Sequence, residues 1–364
     1  VTADAERLVV VPREPPAFSA APRVTFRERK KALFLAAGVA LLVGVGLVAM
    51  LAGAYSISIA DVGAVLAARL PGVDGSLTDP VHRTVVWEIR LPRILMGALV
   101  GMGLATAGAV YQGVFRNPLV EPFILGVSAG ASFGASLAIL LPALIPNLEV
   151  GAFAFALLAV AMVYFSSRTG GRNPIVGLIL AGVIVNSLFQ ALVSILKYSS
   201  DDAALRAIVF WIMGGLYYSS WRDVAVLLPV MTLGIALMWG LSWRLNVLSM
   251  GDEEARTLGV NPERLKLVFI LCATLMTAVA VSAVGIIAWV GLMMPHAARM
   301  LLGPDHRYVI PAAALMGATY LLVCDTLART LTGTEIPISI VTSIVGAPYL
   351  FFLLRTRTRF AFSG

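Results

Sequence analysis

Long uncharged apolar runs, separated by short polar punctuation, organise most of this chain. They fall at Ala32–Tyr55, Ile94–Phe115, Pro122–Asn147, Val150–Ser167, Asn173–Leu196, Val224–Trp243, Leu267–Ala298, Tyr308–Cys324 and Ile336–Leu354. Most are near the roughly 20 residues that a helix needs to cross a bilayer at about 1.5 Å per residue. The pattern predicts an all-α, polytopic membrane fold. The run Leu267–Ala298 is too long for one helix, and charge placement decides how it divides. Basic residues favour the cytosolic side, so Arg27, Arg29, Lys30 and Lys31 put the N-terminus there. Each crossing changes side, and only an even count returns Arg355, Arg357 and Arg359 to the cytosol. A break near Ser282–Gly285 gives about ten helices. Arg116, the Arg168–Arg172 loop, the Arg244–Lys266 loop and the Gly303–Arg307 turn then share the cytosolic side. Ser56–Arg90 and Tyr198–Arg222 face outward, with an amphipathic stretch at Ala60–Leu70 suited to lie along the surface.

Composition agrees with a lipid solvent. Of 364 residues, 59% are hydrophobic and only 13% charged, against about 25% charged in ordinary soluble domains. Mean hydropathy is +0.90. The net charge of +7 sits at the ends of apolar runs and forms no patch, which points to membrane orientation and away from nucleic acid. Cys272 and Cys324 lie inside apolar runs and read as small buried hydrophobes, with no disulfide or metal spacing. Residues 1–31 form a polar tail without a cleavable signal pattern. Residues 32–356 are the membrane unit, and residues 357–364 a second cytosolic tail. The chain has no phosphate-binding Gly-x-x-x-x-Gly-Lys-[Ser/Thr] loop and no His-Glu-x-x-His, and its three histidines lie on separate segments. Neither a catalytic residue nor a metal site is expected.

The most informative polar stretch is the loop 249–266. Asp252, Glu253 and Glu254 suit the first turn of a short helix, where the helix dipole favours acids. Gly259 suits its end, and Pro262 the start of a second helix. Such a knuckle is either a grip for a cytosolic partner or a solvated loop. Small residues four apart (Gly97 and Gly101; Gly126, Gly130 and Gly134) suit close helix contact in lipid. Asn186, Gln190 and Ser194 share one helical face. Polar groups there either line a path or bond to neighbouring helices.

From Ile89 onward the chain resembles the FecCD/BtuC family of permeases in type II ABC importers. The resemblance is carried by Arg90-Leu-Pro-Arg93, Gln112-Gly-Val-Phe-Arg-Asn-Pro-Leu-Val-Glu-Pro122, Leu125-Gly-Val-Ser-Ala-Gly130 and Glu254-Ala-Arg-Thr-Leu-Gly259. It continues in Gly291-Leu-Met-Met-Pro-His296, Gly303-Pro-Asp-His306 and Gly346-Ala-Pro348. It implies a homodimer of ten-helix subunits around a central path, in a bacterial or archaeal cytoplasmic membrane with both termini cytosolic. Two cytosolic ABC ATPase subunits would hold ATP and Mg, this chain binding no cofactor of its own. A periplasmic or lipid-anchored binding protein would deliver an iron–siderophore, haem, vitamin B12 or, in some members, molybdate or tungstate. Asp252, Glu253, Glu254, Ala255, Arg256, Leu258 and Gly259 fall on the family's ATPase-coupling helix. Arg90, Arg93 and Arg329 fall where the family presents cations to the binding protein. Membrane-interface snorkelling, or for Arg329 an i,i+4 pair with Asp325, is the alternative. Asn186, Gln190 and Ser194 fall on the family's path-lining helix. Thr169, Gly170 and Gly171 are placed for a cytosolic gate by position alone. An ion-coupled transporter would need buried acids or histidines, for which Glu121, Asp325 and His296 are the candidates.

Overall fold

The computed structural model describes residues 26–69, 71, 78–167 and 174–361, and every regular element among them is helical. α1 (Phe26–Leu51) leads to a short helix α2 (Ile59–Ala67). α3 (Pro80–Arg83) runs through a π-helical turn, Thr84–Arg90, into α4 (Leu91–Val114). α5 (Val127–Leu140), α6 (Leu148–Ser167), α7 (Pro174–Ser199) and the shorter α8 (Asp202–Ile212) follow. Then come α9 (Trp221–Gly240), α10 (Ser242–Met250), α11 (Asp252–Thr257) and α12 (Pro262–Val284). The chain closes with α13 (Val290–Leu302), α14 (His306–Thr330) and α15 (Ile338–Ala361).

Among the described residues, seven helices are long and apolar enough to cross a bilayer. Two shorter apolar helices, in α5 and α15, fall on further apolar runs, and α13 takes the second part of the divided run. The break that charge placement required occurs at Gly285, after α12, and the irregular segment 285–289 leads into α13. The amphipathic stretch after Tyr55 is α2. Its N-cap Ser58 accepts the Asp61 N–H, and Val62 and Val65 are buried.

One helix is longer than the hydropathy implied. The helical run containing α4 begins at Pro80 and reaches Val114, 35 residues in all. Charged residues at 83, 88, 90 and 93 hide its first turns from an apolar-run criterion. Pro92 has no N–H to give a carbonyl one turn back. The preceding turn widens to π geometry, with the Leu91 N–H bonded to the Val86 carbonyl, which accommodates the break in the ladder.

α4 is the axis of the fold, packed against α9, α12, α13 and α14, while α5, α6 and α7 pack on one another and join the rest chiefly where α6 and α5 meet α12. Its burial on all sides follows from its sequence. At Gly101 an added Cβ would lie 2.4 Å from the Gly317 carbonyl oxygen of α14, and at Gly108 only 1.8 Å from that of Gly291 on α13. α5 meets α6 in the same way, Gly130 against the Phe155 carbonyl and Gly134 against that of Gly151. Outside, the polarity is that of a lipid-facing protein: Leu41, Val48, Phe165, Ile184 and Leu233 stand exposed. Such a surface would be a large uncovered patch in water.

Replacing Gly101 with Ala should overpack the α4–α14 crossing and cost about 1–3 kcal/mol. Gly44, on α1, has open space around its Cα, so Gly44→Ala should be neutral. Thermal unfolding in detergent, followed by size-exclusion chromatography, compares the two; equal stability would contradict the crossing.

Candidate functional site

Two polar clusters stand at opposite ends of the bundle. The first is built on α11. Gly259, with φ +76°, takes the left-handed position after the helix. The Val260 N–H reaches the Ala255 carbonyl at 2.9 Å and the Gly259 N–H the Arg256 carbonyl at 3.0 Å, the paired bonds of a glycine-terminated helix. Asn261 then caps α12 by accepting the Arg264 N–H, and Pro262 occupies its first turn. The second helix expected after Gly259 is therefore the start of a membrane span and not a separate surface helix.

Asp252 fixes the orientation of this knuckle. Its carboxylate accepts from Arg116 Nη2 at 2.6 Å and from Lys266 Nζ at 2.6 Å. Arg116 follows the end of α4 and Lys266 lies in the first turns of α12, so one carboxylate ties α11 to both. Ala255 is buried beneath the helix, while Glu253, Glu254, Arg256, Leu258 and Gly259 are exposed. Arg256 lies 3.5 Å from Glu263, both well exposed, a geometry of little energetic weight. α10 braces the knuckle from the other side. The Ser249 hydroxyl donates to the Gly113 carbonyl of α4 at 3.3 Å. Asn246 donates to Asp305 at 2.8 Å and accepts the His306 N–H at 2.8 Å. Burial alone would raise the Asp305 pKa, but hydrogen bonds from Arg307 and Asn246 outweigh it and bring it to about 2.

Sequence reading found the acids and the glycine of this site but neither the Arg116 and Lys266 partners nor α10, which it left within a loop. Glu121 turns inward and accepts the Trp289 N–H at 3.3 Å, at the start of α13. No periodicity in the sequence marks these pairings: Arg116 and Asp252 are 136 positions apart, Glu121 and Trp289 168, and Lys266 and Asp252 14.

The opposite end holds the arginines expected to face outward, and each makes contacts within the chain. Arg90 is 4% and Arg93 7% exposed. Arg90 donates to the Met50 carbonyl at 2.7 Å, to that of Leu51 at 3.1 Å and to that of Tyr55, capping the end of α1. Arg93 grips Asp325 of α14 through Nε and Nη2, at 3.0 and 2.8 Å. Its Nη1 holds Glu335, before α15, at 2.9 and 3.0 Å. Arg329 stands 3.6 Å from Asp325 in the i,i+4 arrangement and donates to the Ala49 carbonyl. A buried guanidinium persists only where its charge and donors are met; for Arg90 and Arg93 the chain itself meets them, while the buried Arg329 Nε has no hydrogen-bond partner among the described residues. All three make internal ties among α1, α4 and α14.

Asn186, Gln190 and Ser194 do share a face of α7, Gln190 and Ser194 exposed and Asn186 half-buried. The Ser194 hydroxyl donates to the Gln190 carbonyl in its own helix at 2.8 Å. Thr169, Gly170 and Gly171 lie outside the described residues. Among the described residues no group of acids, histidines or cysteines could hold a metal ion. Of the candidates for ion coupling, Asp325 is held in the arginine cluster and Glu121 at the start of α13.

The architecture is a many-spanning helical bundle with a braced polar knuckle at one end. Residues 41–356 match the FecCD transport family, and the chain belongs to it; it is a permease of the ABC importer type. It is 41% identical to the molybdate import system permease protein MolB of Haemophilus influenzae, over 85% of this chain and 91% of that one. It is 42% identical to the cobalamin import system permease protein BtuC of Halobacterium salinarum, over 76% and 74%. A solved structure described as an inward-facing conformation of a metal-chelate type ABC transporter superposes with a TM-score of 0.80. That match is at 39% identity and covers 89% of this chain and 99% of the other.

Breaking the arginine cluster should be costly. Arg93→Ala strands Asp325, whose side chain is 1% exposed, and should destabilise the fold by about 3–5 kcal/mol. Arg93→Lys, which keeps the charge but cannot bridge both carboxylates, should fall between Ala and the native residue. If Arg93→Ala left the unfolding temperature unchanged, Arg93 would not be an internal tie.

Proposed function

We propose that this chain is the membrane permease of a binding-protein-dependent ABC importer that carries a metal chelate across a bacterial or archaeal cytoplasmic membrane. The chelate is an iron–siderophore, haem or corrinoid. The chain performs no chemistry. Two cytosolic ATPase subunits hold ATP and Mg, and two copies of this chain form the path between them. The observation that carries this reading is the α11 knuckle: exposed on its outer face, buried at Ala255, and held to α4 and α12 through Asp252. A helix so fixed transmits a push. ATPase closure against Glu253, Glu254 and Arg256 would reach the ends of α4 and α12 directly, because the Arg116–Asp252–Lys266 contacts leave no slack between them.

With α11 on the cytosolic side, both termini are cytosolic, the arginine cluster lies at the outer end, and the binding protein docks there. The exposed polar face of α7, with Asn186, Gln190 and Ser194, is the part of this chain that meets the path. Oxyanion transport, of molybdate or tungstate, is the second reading, favoured by the identity to a molybdate permease.

Co-expression with the cognate ATPase tests the reading. The native chain should co-purify with it, and the triple variant Glu253→Ala, Glu254→Ala, Arg256→Ala should lose it while keeping its unfolding temperature, since all three side chains are exposed. Asp252→Asn should retain the ATPase but transport at a lower rate for the same hydrolysis. Uptake driven by an ion gradient in the absence of any ATPase would overturn the proposal.

A further inference from the structure

Beside the α11 knuckle lies a cavity of about 770 Å³, enclosed by the first turns of α1, the end of α4, α10 and the turn from α13 into α14. Its size falls within the range of about 300–1,000 Å³ typical of small-molecule sites. Among its described lining residues are four cations, Lys31, Arg116, Arg299 and Arg307, against two acids, Glu28 and Asp305. Arg307 is matched by Asp305, which it grips through Nε and Nη2 at 3.0 and 2.7 Å. Lys31 Nζ stands 4.2 Å over the Tyr308 ring, Arg299 donates to the neutral amide of Gln112, and Arg116 shares Asp252 with Lys266. The walls therefore carry an excess of positive charge.

One buried group in this cavity has no partner. Asn246 Nδ2 donates to Asp305 at 2.8 Å, so its Oδ1 is the acceptor, and it meets both the His306 N–H and His306 Nδ1 at 2.8 Å. Nδ1 carries the ring proton in that arrangement, and Nε2 is left as an acceptor. His306 is 5% exposed, and its Nε2 is buried without a hydrogen-bond partner. The bare Gly113 lies next to it, where an added Cβ would come within 2.9 Å of that nitrogen. Such an imidazole is satisfied by a hydroxyl or another donor.

The surroundings set the mouth of the cavity at the depth of lipid headgroups. Trp239 donates through Nε1 to the Arg307 carbonyl at 3.0 Å, and its ring is exposed, as is that of Trp243. Tryptophans so placed mark the membrane interface. Leu33, two positions from Lys31, and Met300 and Leu301, which follow Arg299, also stand exposed. They offer acyl chains an apolar surface beside the charged one.

We propose that this cavity binds the headgroup of an anionic phospholipid. Lys31 and Arg299 hold the phosphodiester, and His306 Nε2 accepts from a headgroup hydroxyl, such as a glycerol headgroup supplies. Only the assignment to the cytosolic leaflet rests on the importer reading above. A lipid bound there joins the start of α1 to the ends of α4 and α13, next to the Arg116–Asp252 contact that holds the knuckle.

The test measures lipid on the full-length chain in detergent, without its ATPase, so its outcome is independent of the importer reading. Native mass spectrometry titrates phosphatidylglycerol, phosphatidylmethanol (the same charge without a headgroup hydroxyl) and phosphatidylcholine, all with the same acyl chains. Phosphatidylglycerol should bind most tightly and phosphatidylcholine least. Lys31→Gln should weaken phosphatidylglycerol about 5-fold, and Lys31→Gln with Arg299→Gln about 25-fold. Arg244→Gln, which removes an exposed cation of α10 outside the cavity, should change nothing. His306→Asn keeps a donor towards Asn246 but removes Nε2. It should erase the preference for the glycerol over the methanol headgroup while the preference for anionic lipid remains. Equal binding of the three lipids would overturn the site. So would undiminished affinity in Lys31→Gln, a half-buried position of α1 where the change leaves the fold intact. A glycerol preference that survives His306→Asn would overturn the role of His306. Soluble glycerol phosphate bound as tightly as phosphatidylglycerol would reassign the cavity to a free phosphate ester and overturn the lipid.

Discussion

Lipid gives apolar side chains no reason to leave it, so a helix bundle in a bilayer cannot be gathered by hydrophobic burial between its members. What holds this bundle together is contact close enough for dispersion to count, and that requires bare backbone. Gly101 against Gly317, Gly108 against Gly291, and Gly134 against Gly151 are the points where it occurs. They allow α4 to be surrounded on all sides, and everything else is placed relative to that helix. Arg116 emerges at one end of it and Arg93 at the other.

The two ends use the same currency, a carboxylate shared by cations from different helices, in opposite surroundings. Asp252 is a third exposed and joins elements that sit near the bundle's surface. Asp325 is 1% exposed and is held by Arg93 and Arg329. A buried group of that kind tolerates no missing partner, since a stranded charge there costs more than the pair contributes. A partly solvated joint can transmit displacement while its charges remain hydrated. The difference suits a knuckle that is pushed at one end and a tie that holds at the other.

The break between α12 and α13 shows how irregular backbone survives inside a bundle. Residues 285–289 leave the helical ladder, and lipid offers them no hydrogen bonds. They are instead enclosed by protein. The Gly215 N–H bonds to the Val284 carbonyl at 2.8 Å, and Glu121 receives the Trp289 N–H at the positive end of α13. The loop carrying Glu121 is thereby held against the start of α13.

The sequence by itself determined the solvent, the number of spans, the position of the break at Gly285 and the knuckle from Asp252 to Pro262. These are local or one-dimensional properties: apolar run length, charge at run ends, and the conformational preferences of Gly259 and Pro262. The resemblance carried by short motifs, such as Glu254-Ala-Arg-Thr-Leu-Gly259, also lies on the chain itself. Only the tertiary structure decided which charges meet. Arg93 and Asp325 are 232 positions apart, and Arg116 and Asp252 136. Arg90, Arg93 and Arg329 read as outward cations because a charge at the end of an apolar run usually snorkels to water. Here carbonyls at the end of α1 and two acids reach them first. Whether an arginine faces solvent or a partner depends on what folds against it, and no local pattern records that.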